Sequence, residues 1–163
     1  MIITRTPLRV SFLGGGSDYP EYFTDNPGAV LGTAVNLYVY VALIRQTALV
    51  DKQFKLTYRE REAVDSPDEL EHPVVRAVLQ DCRWTGPGIH IATLADVPAN
   101  TGLGSSSSFT VALLHALALF RGDVVTAESL ANDAVRIERE VLREAGGWQD
   151  QFHAAYGGVA LYE

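Results

Sequence analysis

The stretch Pro98-Ala99-Asn100-Thr101-Gly102-Leu103-Gly104-Ser105-Ser106-Ser107-Ser108 sets glycines and hydroxyls directly ahead of an apolar helical segment. A glycine-rich turn that runs into the first turn of a buried helix leaves backbone N–H groups unpaired and aims the positive end of the helix dipole outward, about half a charge. Gly102 and Gly104 let the backbone approach a polyphosphate with no Cβ in the way, and the serines add hydroxyl donors or a metal ligand. The chemistry this implies is anion binding, with phosphate the natural guest. No lysine follows the glycines, so the loop is not a Walker motif, and Ser107 stands where a dinucleotide fingerprint needs its third glycine. The same residues also suit an ordinary helix N-cap. Four consecutive serines exceed what a cap requires, and they waste helix propensity unless they face a ligand.

The rest of the composition narrows how such an anion could be met. The net charge is −7 and only Lys52 and Lys55 are lysines, so phosphate recognition must lean on arginine, backbone N–H groups and a metal, and bulk attraction to nucleic acid is excluded. Cys82 is the single cysteine and can form no internal disulfide. His72, His90, His115 and His153 show no ligand spacing, although His153 follows Asp150 closely. The longest nearly apolar run, Phe109 to Phe120, falls short of the roughly 18 residues that span a bilayer, and the first residues form no leader pattern, which predicts a cytoplasmic protein with no membrane partner.

The elements that must hold the loop can be read from periodicity. With 163 residues, 47% of them hydrophobic, the chain predicts one globular core rather than two domains. Residues 2 to 13 predict two short strand pieces broken at Pro7, ending at Gly14-Gly15-Gly16. Ala29 to Leu31 and Ala34 to Ile44 predict a hairpin punctuated by Gly28 and Gly32. A strand follows at Phe54 to Tyr58, and Pro67 to Cys82 reads as a helix capped by Ser66. Gly88 to Leu94 is a strand leading into the glycine loop. Ser105 to Phe120 is apolar on almost every face and predicts a buried helix ended by Arg121 and Gly122. Thr126 caps a further helix to about Glu144, closed by Gly146-Gly147, and a short helix from Gln151 and a strand at Val159 complete an α+β layout.

At this point the residues resemble a known family. Pro98 through Ser108 is similar to the Pro-x-x-x-Gly-Leu-Gly-Ser-Ser motif of the GHMP kinases. Thr6-Pro7-Leu8-Arg9-Val10-Ser11-Phe12-Leu13-Gly14-Gly15-Gly16-Ser17-Asp18 resembles their first motif in the form seen in heptose kinases and fucokinases, and Gly146-Gly147-Trp148-Gln149-Asp150-Gln151 resembles their Gly-x-x-Asp-Gln segment. The resemblance implies the family's N-terminal fold over residues 1–163, ribosomal protein S5 domain 2-like, a mixed sheet with helices packed on one side. The family's second half, which carries a third glycine-rich motif, is absent from this chain.

The resemblance also implies roles. Asp150 matches the catalytic aspartate that orients or deprotonates the acceptor hydroxyl, although locally it also suits a helix cap. Arg9 matches the first-motif arginine beside that aspartate and the transferring phosphate. Pro98, Gly102, Leu103, Gly104, Ser105, Ser106 and Ser107 match the ATP-binding loop. Glu138 and Ser106 match the Mg²⁺ ligands, which suffice because Mg²⁺ keeps most of its waters; Glu140 is the rival to Glu138 if the register slips. Gly15, Gly16, Ser17 and Asp18, with Gly147 and Gln151, match the sugar-binding positions, Asp18 gripping a diol or else serving as a turn residue. Trp148 could stack on a sugar or simply pack. The implied activity is ATP- and Mg²⁺-dependent phosphorylation of the anomeric hydroxyl of a heptose phosphate-like sugar, with fucose as the rival acceptor. A non-catalytic sugar- or nucleotide-binding module is the other reading. Little turnover is expected from this chain alone, which could self-associate or pair with a separate C-terminal half.

Overall fold

The computed structural model describes residues 1–47, 51–99 and 101–163. Asn100, within the loop motif, lies outside the described residues. Among the described residues, six strands form one mixed sheet: β1 (Ile2–Leu13), β2 (Val30–Arg45), β3 (Phe54–Thr57), β4 (Arg61–Val64), β5 (Ile89–Ala95) and β6 (Val159–Tyr162). The order is β1-β2-β5-β3-β4, with β6 paired to the first residues of β2; the β3–β5 ladder is parallel and the others antiparallel. Helices α1 (Pro20–Phe23), α2 (Pro73–Asp81), α3 (Ser105–Arg121), α4 (Ala127–Arg136) and α5 (Gln149–Tyr156) complete the chain. Among the described residues, no helix is long and apolar enough to cross a membrane.

Helix α3 is the spine. Its residues Ala112, Leu113, Ala116 and Leu117 are buried against Leu8, Val41 and Leu43 of the sheet. Thr4 and Thr6, inward-facing on β1, donate their hydroxyls to the carbonyl oxygens of Ala112 at 2.8 Å and Ser108 at 2.6 Å. These bonds satisfy buried hydroxyls and fix the height of α3 over β1. The other sheet face is open, with Leu94 at 74% and Ile3 at 58% exposure. Leu113 is fully enclosed, so Leu113→Ala is expected to cost about 2–5 kcal/mol in a urea melt, through lost transfer energy and an unfilled cavity.

Four expectations are corrected. Residues 2 to 13 form one strand, because β1 lies at the sheet edge, where Pro7 removes no needed hydrogen bond and costs only a register shift between Pro7 and Leu8. Val30 to Arg45 is likewise one strand, with Gly32 inside it rather than at a hairpin turn. The helix expected over 67–82 is split: Ser66 caps a 3₁₀ turn at Pro67–Glu69, and His72, extended ahead of Pro73, lets α2 start afresh. The short terminal helix begins at Gln149, with Trp148 as its N-cap residue, rather than at Gln151. Helix α4 carries the Thr126–Ser129 capping box and continues as a π-helical turn, Ile137–Val141.

Candidate active site

The glycine loop closes onto Arg9. Gly102 and Gly104 both adopt left-handed backbone, at φ 74° and 75°, where only glycine is unstrained. The turn brings the Leu103 carbonyl to 3.0 Å from the Arg9 N–H, and the Gly102 carbonyl to 2.6 Å from Arg9 Nη1. The same guanidinium donates from Nε to Asp150 Oδ1 at 2.6 Å and from Nη2 to Asp150 Oδ2 at 2.9 Å. One arginine thus ties the loop before α3 to the first turn of α5, through a two-pronged pair of the strong, directional kind. Both partners are mostly covered, with side chains 14% and 24% exposed.

Space around Gly104 is filled. A methyl on its Cα would stand 3.1 Å from Asp150 Oδ2 and 3.3 Å from Arg9 Cγ, besides forcing an L residue into left-handed backbone. Gly104→Ala is therefore expected to lower Tm by several degrees, at about 1–2 kcal/mol of strain, checked in a thermal melt.

Glu138 is drawn into the protein by the π-helical turn. It is 5% exposed, and its Oε2 accepts from Ser107 Oγ at 2.8 Å and from Gln151 Nε2 at 2.5 Å. Its other oxygen, Oε1, is buried without a partner. Burial pushes the Glu138 carboxyl above its ordinary value, against the lowering effect of its hydrogen bonds. Ser107, not Ser106, is the serine bonded to Glu138; Ser106 is exposed and lines the same hollow of about 250 Å³. Glu140 faces solvent. Four carboxylates, Asp18, Glu138, Glu144 and Asp150, line that hollow against two guanidiniums, Arg9 and Arg139. A polyphosphate entering it needs a cation first. Among the described residues, no cluster of three His, Cys, Asp or Glu side chains could hold a metal unaided. The unpartnered Glu138 oxygen, with a serine hydroxyl alongside, fits a Mg²⁺ ion that takes its remaining ligands from water and phosphate.

The first-motif glycines line a second hollow, about 540 Å³, with Arg9, Ser11, Tyr19, Leu103 and Gln149; Gly15, Gly16 and Gly102 are at its surface. Its walls meet the acidic hollow at Arg9, Tyr19 and Gln149. Ser17 is turned away, its hydroxyl bonded to the Gly14 and Ala29 carbonyls. Asp18 accepts the Gly16 and Gln149 N–H groups, each at 3.0 Å, and so caps α5. Gly147 is glycine for that reason, since a Cβ there would lie 1.9 Å from Asp18 Oδ2. Pro98 is exposed and lines neither hollow, and Ser105 is half-buried at the start of α3. Trp148 packs edge-on against Phe23 at 5.1 Å and parallel to Phe152 at 6.3 Å.

Sequence reasoning did not find Tyr19, Gln149 or Arg139. Arg139 donates to the Gly146 carbonyl at 2.7 Å and pairs with Glu21, bracing the turn ahead of α5. No local pattern marks it, because its partners lie on other segments.

A loop of backbone donors on a buried helix, an arginine shared with a carboxylate and an acidic hollow beside them come together on a mixed α+β fold. The chain belongs to the GHMP kinase family: residues 71–158 match the model of the GHMP kinases N terminal domain. It is 31% identical, over 99% of its length, to the D-glycero-alpha-D-manno-heptose 7-phosphate kinase of Campylobacter jejuni, of which it spans 50%. It is 27% identical, over 94% of its length, to the bifunctional fucokinase/GDP-fucose pyrophosphorylase of Arabidopsis thaliana, spanning 16% of that protein. The crystal structure of a D-glycero-D-manno-heptose 1-phosphate kinase from Bacteroides thetaiotaomicron superposes with a TM-score of 0.86 at 28% identity, covering 99% of this chain and 55% of that one. The chain therefore spans about half the length of the heptose kinase relatives it matches, and the expected mixed sheet with helices on one side is the fold observed.

Proposed function

We propose that this chain is the phosphate-cradling domain of an ATP-dependent sugar kinase that phosphorylates the anomeric hydroxyl of a heptose phosphate-like sugar, with fucose as the alternative acceptor. The observation that carries the reading is the double engagement of Arg9, which makes the loop and the Asp150 carboxylate one rigid unit. In this reading the N–H groups of Gly104, Ser105 and Ser106 hold the β- and γ-phosphates, and Asp150 positions the sugar hydroxyl in line. Arg9 keeps Asp150 ionised and offsets charge that develops on the transferring group. Glu138 and Ser106 hold Mg²⁺, with Ser107 and Gln151 fixing Glu138 from behind. The metal, when bound, supplies charge neutralisation at the phosphate oxygens.

The hollow bordered by Gly15 and Gly16 takes the sugar. From the adjoining acidic hollow, which shares Arg9, Tyr19 and Gln149 with it, Asp18 presents carboxylate lone pairs left free by its bonds to the Gly16 and Gln149 N–H groups, and Gly147 gives it room. A second half of the kind the relatives possess closes the site over the nucleotide, and residues 1–163 alone turn over weakly. Calorimetry with Mg·ATP, heptose 7-phosphate and fucose, on wild type and Asp150→Ala, together with a turnover assay, tests the reading. Mg·ATP binding with heptose phosphate preferred over fucose supports it; nucleotide binding without turnover in a longer form that carries the second half favours the non-catalytic module. No nucleotide binding at all overturns the kinase reading; sugar binding alone then leaves a sugar-binding module, and no binding of either ligand overturns both.

A further inference from the structure

The Arg9–Asp150 pair joins a strand to a helix, so its geometry depends on how high α5 rides above the sheet. His153 follows Asp150 by one helical turn, on the same side of α5. It is fully enclosed, at 0% exposure, and its ring rests on Gly32 in the interior of β2. A methyl on Gly32 would stand 2.5 Å from His153 Nε2 and 3.0 Å from the Val10 carbonyl oxygen. Gly32 is held from both flanks, paired with Ser11 of β1 and Ala160 of β6, so its backbone has nowhere to retreat. On its other side the imidazole meets the Tyr162 ring edge-on at 4.9 Å.

Neither nitrogen of the ring has a hydrogen-bond partner, nor does the Tyr162 hydroxyl. A buried polar group left unpaired costs stability, and simple core filling needs no such group. The ring instead acts through its shape: it is flat, stiff and clamped between a glycine and a tyrosine. Burial, and then the Arg9 charge, lower its proton affinity, so the ring stays neutral near pH 7 and does not compete with Arg9 for Asp150.

We infer that His153 is a positioning residue: seated on Gly32, its ring sets the distance from α5 to the sheet and so aligns the Asp150 carboxylate with the Arg9 fork. The catalytic consequence rests on the role proposed for Asp150, whereas the geometric one does not. The test therefore reads the pair directly, through the Arg9 Nε–H signal in ¹⁵N-resolved NMR, assigned by its loss in Arg9→Lys. In Gly32→Ala the added methyl lifts α5, and solvent exchange of that N–H is expected to accelerate by about tenfold or more. In the longer, active form kcat falls by a similar factor with KM for ATP unchanged, since sub-ångström misplacement of a reacting group is felt in the transition state. His153→Ala, which leaves a void instead of a clash, moves the same signal in the same direction and serves if Gly32→Ala does not fold. In the double variant Gly32→Ala/His153→Ala the methyl occupies space the ring vacated, and most of the protection returns. An Arg9 signal unmoved in the variant that folds, or a double variant no better than the singles, overturns the inference. If the Arg9 signal moves as expected but the wild-type protein phosphorylates no sugar, the positioning stands and the kinase reading alone fails.

Discussion

On the proposed kinase reading, Asp150→Asn in a form that carries the second half is expected to slow sugar phosphorylation about 10³-fold while leaving the Kd for Mg·ATP nearly unchanged. Two effects add. The amide is a poorer acceptor for the sugar hydroxyl proton and carries no charge to orient it. In addition, Arg9 presents two N–H donors to the two carboxylate oxygens at 2.6 and 2.9 Å, and an Asn places its own NH₂ donor against one of them. The guanidinium then loses half its fork and swings on the remaining bond to the Gly102 carbonyl. ATP binding survives because the loop N–H groups belong to α3, which is anchored independently through Thr4 and Thr6. The measurement is a coupled assay alongside calorimetry; equal losses in nucleotide affinity and in rate would assign Asp150 to holding the loop rather than to the chemistry.

The glycine loop was readable in the sequence because its chemistry is local: left-handed turns, free N–H groups and serines all lie within one short segment. Glycine alone, however, is an ambiguous mark. Gly28 to Gly32 suggested a hairpin, yet Gly32 is glycine because the His153 ring, 121 positions further along the chain, takes the place of its side chain. Pro7 suggested a break for a related reason, since pattern cannot tell an edge strand, which tolerates proline, from a central one. Asp18 illustrates the opposite case. Both of its expected readings have support, for it caps α5 as a turn residue would and still borders the acidic hollow. What could not be read at all was pairing between distant segments. The choice of Ser107 over Ser106 as the partner of Glu138 depends on the rotation of α3 against a π-helical turn, and four identical serines offer no clue to rotation. The family resemblance supplied the acid itself, and burial then separates Glu138 from Glu140, which lies on the solvent side.

The Glu138 environment leads to the second large effect. Glu138→Gln is expected to abolish the Mg²⁺ dependence of Tm while making the metal-free chain more stable. The wild-type carboxyl is held in a buried site that raises its proton affinity, so the unfolded chain releases this proton more readily than the folded one. The Glu138 contribution to stability is then greatest below the ordinary value of 4.5, falls as pH rises from there through the elevated folded value, and stays reduced at neutral pH. Removing the charge removes that loss. Gln keeps an oxygen for the Ser107 and Gln151 donors, and the gain in Tm is expected at pH 7 and shrinks as pH falls toward about 4. Adding Mg²⁺ reverses the comparison. On the proposed metal site the cation would favour the ionised carboxylate and bind at its unpartnered oxygen, raising the wild-type Tm by mass action, whereas the amide would offer no charge and the variant would not respond. Thermal melts of both proteins across pH, with and without Mg²⁺, check each part separately. A variant less stable than wild type in the absence of metal would mean that the hydrogen bonds to Glu138 outweigh its burial. A Mg²⁺ response retained in the variant would move the metal away from Glu138 altogether.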